Sequence, residues 1–128
     1  MIIYLDFDGT VVSHAYPAIG KYNEGCQEVI NKLQMAGHNI ILNSRRADFN
    51  DGSLEAALVY LNSLTIQKPI VEHTKTKIDP GFWKRMIEEQ ILFIDDECIG
   101  IPMQTNPFRV DWFEIEKQLT SQQIIKKS

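Results

Sequence analysis

Three short apolar runs constrain this chain more than any other feature: Ile2–Leu5, Asn39–Leu42 and Ile91–Ile94. Each has the length and composition of a buried strand, and each breaks straight into polar residues. The first ends at Asp6 and Asp8, the second at Asn43, Ser44 and Arg45, and the third at Asp95 and Asp96. Between the first two, Cys26, Val29, Ile30 and Leu33 recur at helical spacing and Gly37 stands where a C-cap glycine belongs, predicting a helix over residues 24–35. After the second, Leu54, Leu58 and Leu61 predict another helix, with Ser53 as its cap. Strand–helix alternation of this kind implies an α/β fold in three layers around a doubly wound, mainly parallel sheet. Ligands in such folds bind beyond the carboxyl ends of the strands, where strand order reverses. The three polar clusters are therefore expected to meet at one edge.

The remaining elements are predicted with weaker patterning. Residues 69–72 read as a further strand, residues 82–90 as a short helix and residues 108–110 as one more edge strand. Asp111 stands ready to cap a last helix carrying Trp112, Ile115 and Leu119. The 128 residues leave room for one domain, and a 44% hydrophobic, 23% charged composition supports a packed core. A net charge of −4 argues against nonspecific binding along nucleic acid, which needs a surplus of Lys and Arg. No apolar run is long enough to span a bilayer, and the N-terminus lacks the shape of a signal peptide. Cys26 and Cys98 then read as reduced thiols, and a cytoplasmic protein is expected.

Asp6 and Asp8 are two apart on an extended backbone, so their side chains project together from the strand end. Two carboxylates about 4 Å apart repel by roughly 4 kcal/mol at an effective dielectric near 20. Such a pair calls for a cation, a shared proton or plentiful water. An apolar strand running into Asp-Phe-Asp-Gly-Thr, followed late in the chain by the pair Asp95-Asp96, resembles the haloacid dehalogenase (HAD) superfamily of phosphohydrolases. The resemblance extends from Ile2 to about Pro102. It implies a Rossmann-like HAD core, a Mg²⁺-dependent phosphatase activity, Asp6 as the nucleophile that takes up the phosphoryl group, and Asp8 as general acid/base. It also implies a Mg²⁺ held by Asp6, by Asp8 through its backbone carbonyl, and by Asp95 or Asp96.

Two further family motifs are matched more loosely. The family places Thr or Ser at the end of the second strand as a phosphate donor. Aligned on Arg45, that position here is Asn43, with the Ser44 hydroxyl beside it, and both are carried as phosphate-binding candidates. A lysine upstream of the acidic pair is expected to offset charge at the nucleophile, with Lys77 preferred over Lys75. Arg45 and Arg46 read equally well as substrate contacts and as solvated surface groups. His14 sits in the loop nearest the site.

Residues 11–41 and 46–67 are too short to hold the cap domain with which many HAD enzymes select substrate. The family logic then implies an open site serving a large phosphorylated substrate, such as a protein or a nucleic-acid end, or a site closed by a second copy of the chain in a homo-oligomer. A small phospho-metabolite stays open as well, since the acidic charge disfavours nucleic acid. The alternative function is a HAD-like metal- or phosphate-binding regulatory module with little turnover, a reading favoured by Asn43 in place of a hydroxyl.

Overall fold

The apolar runs form strands because alternate side chains find the same buried layer. In the computed structural model, which describes residues 1–72, 76–84 and 87–127, the first strand is β1 (Ile2–Leu5). It pairs in parallel with β2 (Asn39–Leu42) on one side and β4 (Ile91–Ile94) on the other. Ile3 lies level with Ile40 and Leu92, and Leu5 with Leu42 and Ile94. All six are buried, giving one aliphatic face without a gap. On the other face Tyr4 stacks on Phe93 with ring centroids 4.9 Å apart. The short strand β3 (Val71–Glu72) adds to β2, so the parallel sheet runs β3-β2-β1-β4.

This order confirms a mixed α/β, Rossmann-like sandwich in which a mostly parallel sheet is flanked by helices. Strand order reverses between β1 and β4, because the chain moves outward from β1 to β3 and then returns to the far side of β1. The registry also sets where the chain leaves the sheet. Leu5, Leu42 and Ile94 end abreast, and the ladder continues one step as Asp6 N donates to Ile94 O (3.0 Å) and Asn43 N to Leu5 O (2.7 Å). Asp6, Asn43 and Asp95 therefore emerge side by side.

Helix α1 (Cys26–Met35) buries Cys26, Val29, Ile30 and Leu33, as its spacing predicts. Helix α2 (Ser53–Ser63) buries Ala57 and Leu61, with Leu54 and Leu58 packed at the core's margin. Ser53 opens this helix rather than capping it: Gly52, at φ 81°, precedes it, and Asp51 Oδ1 accepts from Ser53 N at 2.9 Å. In α3 (Trp112–Ser121), Asp111 caps through a hydrogen bond from Glu114 N, and Trp112, Ile115 and Leu119 are buried. Lys32 Nζ reaches Glu116 Oε1 at 3.0 Å, tying α1 to α3. Asn31 Nδ2 donates to Leu64 O at 2.9 Å, tying α1 to the end of α2.

Two expectations need correcting. Within residues 82–90 the described residues form only a short 3-10 turn, Ile87–Glu89, closed by Gln90 at φ 63° before β4 begins. A positive φ is incompatible with continuing a helix. The strand expected near residue 109 is β6 (Arg109–Val110), but its partner is β5 (Met103–Gln104) in a separate antiparallel ribbon, not the edge of the parallel sheet. Among the described residues no helix is long and apolar enough to cross a membrane.

Candidate functional site

The residues leaving β1, β2 and β4 converge on an open cleft of about 220 Å³, lined by Asp6, Asp8, Ser44, Lys77 and Asp96 on its polar side. One carboxylate oxygen each from Asp6, Asp95 and Asp96 lies within 4.8 Å of the other two. Asp6 and Asp95 are buried, and the Asp96 side chain is mostly so. Lys77 reaches between the first two, with Nζ 3.2 Å from Asp6 Oδ1 and 2.9 Å from Asp95 Oδ2. The three carboxylates outnumber the one ammonium, an excess of acidic groups held where Asp6 and Asp95 are buried.

The electrostatics follow from that excess. Burial, and then the charge of Asp95, push the Asp6 carboxyl well above its ordinary range, and Lys77 offsets this only partly. Burial raises Asp95 as well, against the hydrogen bond and charge of Lys77. Burial alone would lower the Lys77 ammonium, but the charges of Asp6 and Asp95 and a hydrogen bond outweigh it and raise its pKa.

The local chain explains how Asp6 is held. Thr10, fully buried one turn on, donates from Oγ1 to Asp6 Oδ2 at 3.3 Å and accepts from Asp96 N at 3.2 Å, so one hydroxyl joins the two acidic segments. Its own carbonyl accepts from Asn23 Nδ2 (2.9 Å) and Trp112 Nε1 (2.7 Å). Gly9, at φ 81°, has no room for a side chain, because a Cβ there would stand 2.2 Å from Asp96 Oδ2 and 2.3 Å from His14 Nε2. His14 Nε2 itself lies 2.7 Å from Asp96 Oδ2.

Asp8 does not join this cluster. Its carboxylate turns to Arg46, which donates from Nε to Oδ2 and from Nη2 to Oδ1, each at 2.8 Å. The metal role expected for Asp8 rests on its backbone carbonyl, which this ion pair does not use. Arg46 is buried, and its remaining N–H groups go to the carbonyls of Pro17, Ala18 and Ser53. Its guanidinium carbon sits 5.0 Å from the Phe7 ring centroid and 5.4 Å from that of Tyr16.

The second-strand residues divide differently from expectation. Asn43 was expected to face phosphate. Instead its Oδ1 accepts from Ile78 N and its Nδ2 donates to Ile78 O, both at 2.8 Å, and it does not line the cleft. That two-point bridge fixes the backbone beside Lys77. Ser44 does line the cleft, and its Oγ accepts from Arg46 N at 3.1 Å, leaving its own proton to donate. Lys77 is in the site; Lys75 lies outside the described residues. Arg45 pairs with Glu97 at 2.8 Å at the cleft's lip.

Sequence reasoning missed Thr10 and the buried role of Arg46. The Gly-Thr that follows Asp8 was the only signal for the first. For the second there was none, since its partners lie 7 to 38 residues away.

A Mg²⁺ fits this donor set. Hard oxygen ligands are what the ion prefers. Asp95 Oδ2 is buried, and Lys77 Nζ at 2.9 Å engages one of its lone pairs, leaving the other for a cation. Two positive charges would also balance the excess.

In comparison with known proteins, the chain is similar to a conserved protein from Bacteroides thetaiotaomicron whose structure is solved, at 26% identity and a TM-score of 0.64, covering 95% of this chain and 91% of that one. No family model matches the chain, and no curated protein does. The likeness supports the fold across nearly the whole length and carries no activity with it.

Proposed function

We propose that this protein is a phosphomonoesterase of the HAD type, acting through Asp6 with Mg²⁺ as its cofactor. The carrying observation is the meeting of Asp6, Asp95 and Asp96 oxygens within 4.8 Å around Lys77, in the cleft at the strand-order switch. Uncatalysed hydrolysis of such esters is so slow that the site must supply on the order of 20 kcal/mol. A covalent route divides that barrier into two.

In the first half-reaction an Asp6 oxygen attacks phosphorus and the bond to the leaving oxygen breaks; Asp8 gives that oxygen a proton, for which one of its oxygens must first leave Arg46 and become protonated. In the second, Asp8 takes a proton from water as the water attacks phosphorus, releasing inorganic phosphate and restoring the Asp6 carboxylate. Thr10 and Lys77 orient Asp6, and Lys77 offsets charge on the bound phosphoryl oxygens. Ser44 donates its hydroxyl proton to the same group. A Mg²⁺ bound by Asp6, Asp95 and Asp96, with the Asp8 carbonyl, would supply further charge neutralisation there. Cys26 and Cys98 are free and buried, and burial pushes the Cys98 thiol up to about 11, so neither is suited to nucleophilic work. Free thiols accord with a cytoplasmic setting.

One observation favours a second reading. Both Asp8 oxygens are occupied by Arg46, which suits a metal- or phosphate-binding module with little turnover. Steady-state hydrolysis of an aryl phosphate separates the two. Phosphatase action requires turnover that depends on Mg²⁺ and disappears in Asp6→Asn. Mg²⁺ binding without turnover in the wild type would favour the module.

A further inference from the structure

Building on the phosphatase reading, we propose that the leaving group of the substrate carries a flat aromatic ring, seated on Tyr16 and Phe49 at the mouth of the cleft. Both side chains line the same cleft as Asp6 and Ser44, and both are exposed, at 43% and 52%. Their ring centroids lie 5.3 Å apart with the planes tilted by 41°. They form an open aromatic corner rather than a closed core contact.

Tyr16 is held from two sides. Its hydroxyl donates to Asp51 Oδ2, and the Arg46 guanidinium lies against its ring. Arg46 is immobilised in turn by Asp8 and three backbone carbonyls, so the aromatic wall is fixed relative to the proposed acid/base. Phe49 follows the 3-10 turn Arg45–Asp48, whose first residues also face the cleft. A rigid wall loses little conformational entropy when a ligand lands on it. Aromatic faces favour another π-face over an alkyl chain of equal size, by offset stacking or edge contact. The polar floor takes the phosphate, and the aromatic corner takes the group on its far side. At about 220 Å³ the cleft is smaller than the roughly 300–1,000 Å³ usual for drug-sized ligands, so it takes the phosphate and the near part of the leaving group, with the ring resting on the corner at its mouth.

A nucleoside 5′-monophosphate and ribose 5-phosphate make the test, because they share the same primary phosphate ester and differ by the base. Their kcat/KM values would be compared in the wild type, Phe49→Ala and Phe49→Trp, and their Kd values on Asp6→Asn with Mg²⁺ present. The expected result is a preference of about tenfold for the base-bearing ester, lost in Phe49→Ala and kept in Phe49→Trp. The same preference should appear in the Kd values, which need no turnover. Equal Kd values for the two esters, or a preference unchanged in Phe49→Ala, would overturn the aromatic seat. Absence of turnover with the Kd preference intact would uphold the seat and overturn the phosphatase reading alone.

Discussion

Arg46 holds Asp8 by a two-pronged ion pair, with both nitrogen–oxygen distances at 2.8 Å. The guanidinium is buried and Asp8 nearly so, and the fork geometry that joins them is one a lysine cannot reproduce. Losing it strands Asp8 and three backbone carbonyls that accept from the same guanidinium.

Arg46→Ala is therefore expected to destabilise the fold by about 3 kcal/mol or more, in the range for breaking a buried pair. Arg46→Lys should recover part of that loss but not the activity, because a single ammonium leaves Asp8 free to rotate. Urea denaturation and turnover, measured on the same preparations, check both halves. A fully active Arg46→Lys would show that the fork plays no part in placing Asp8.

Asn43 makes its contribution through Ile78. Asn43→Ala removes both hydrogen bonds that brace the backbone next to Lys77. The expected cost is about 1–3 kcal/mol in stability, for buried partners left unpaired. Activity should fall mainly in kcat, as Lys77 loses its placement against Asp6. Ser44→Ala should act mainly on KM, since it removes a donor to the phosphate. Steady-state kinetics of the two variants would show this split; the reverse pattern would return Asn43 to the phosphate.

These two residues mark the limit of what was legible beforehand. The strands, their shared ends and the meeting of Asp6 with Asp95 and Asp96 could be read because they follow from a local period and a parallel register. Lys77 could be preferred over Lys75 only by its setting, and it reaches Asp6 and Asp95. Arg46 and Asn43 could not be placed. An arginine beside another arginine and an asparagine after a strand have solvent as their default partner. Their actual partners, Asp8 and Ile78, are 38 and 35 residues away. The strand at β6 was expected, but β5 and its antiparallel pairing with β6 were not, because two-residue strands carry too little periodicity to show their partner.

Gly9 leaves space that Asp96 and His14 fill. A methyl group there would meet Asp96 Oδ2 at 2.2 Å on a backbone already at positive φ. Gly9→Ala is expected to abolish turnover and weaken Mg²⁺ binding by at least tenfold, by displacing Asp96. Titration calorimetry with Mg²⁺ reads this directly. Unchanged affinity would place Asp96 outside the metal's ligands.

Mg²⁺ should also stabilise the folded chain. A ligand bound only by the native state adds about 2.7 kcal/mol at a hundredfold excess over Kd. Thermal unfolding of the wild type should therefore shift upward with added Mg²⁺. Asp95→Asn should abolish the shift and, by relieving carboxylate crowding, should cost little stability in metal-free buffer. A wild-type Tm indifferent to Mg²⁺ would count against the metal site.

The covalent role of Asp6 is open to direct observation. The protein would be mixed with an aryl phosphate and Mg²⁺, quenched in acid within a turnover, digested and weighed by mass spectrometry, with and without hydroxylamine. A phosphoryl group is expected on the peptide containing Asp6, removed by hydroxylamine as an acyl phosphate must be, and absent from Asp6→Asn. Turnover with the phosphoryl group on another residue, or Asp6→Asn hydrolysing the ester as fast as the wild type, would contradict that role.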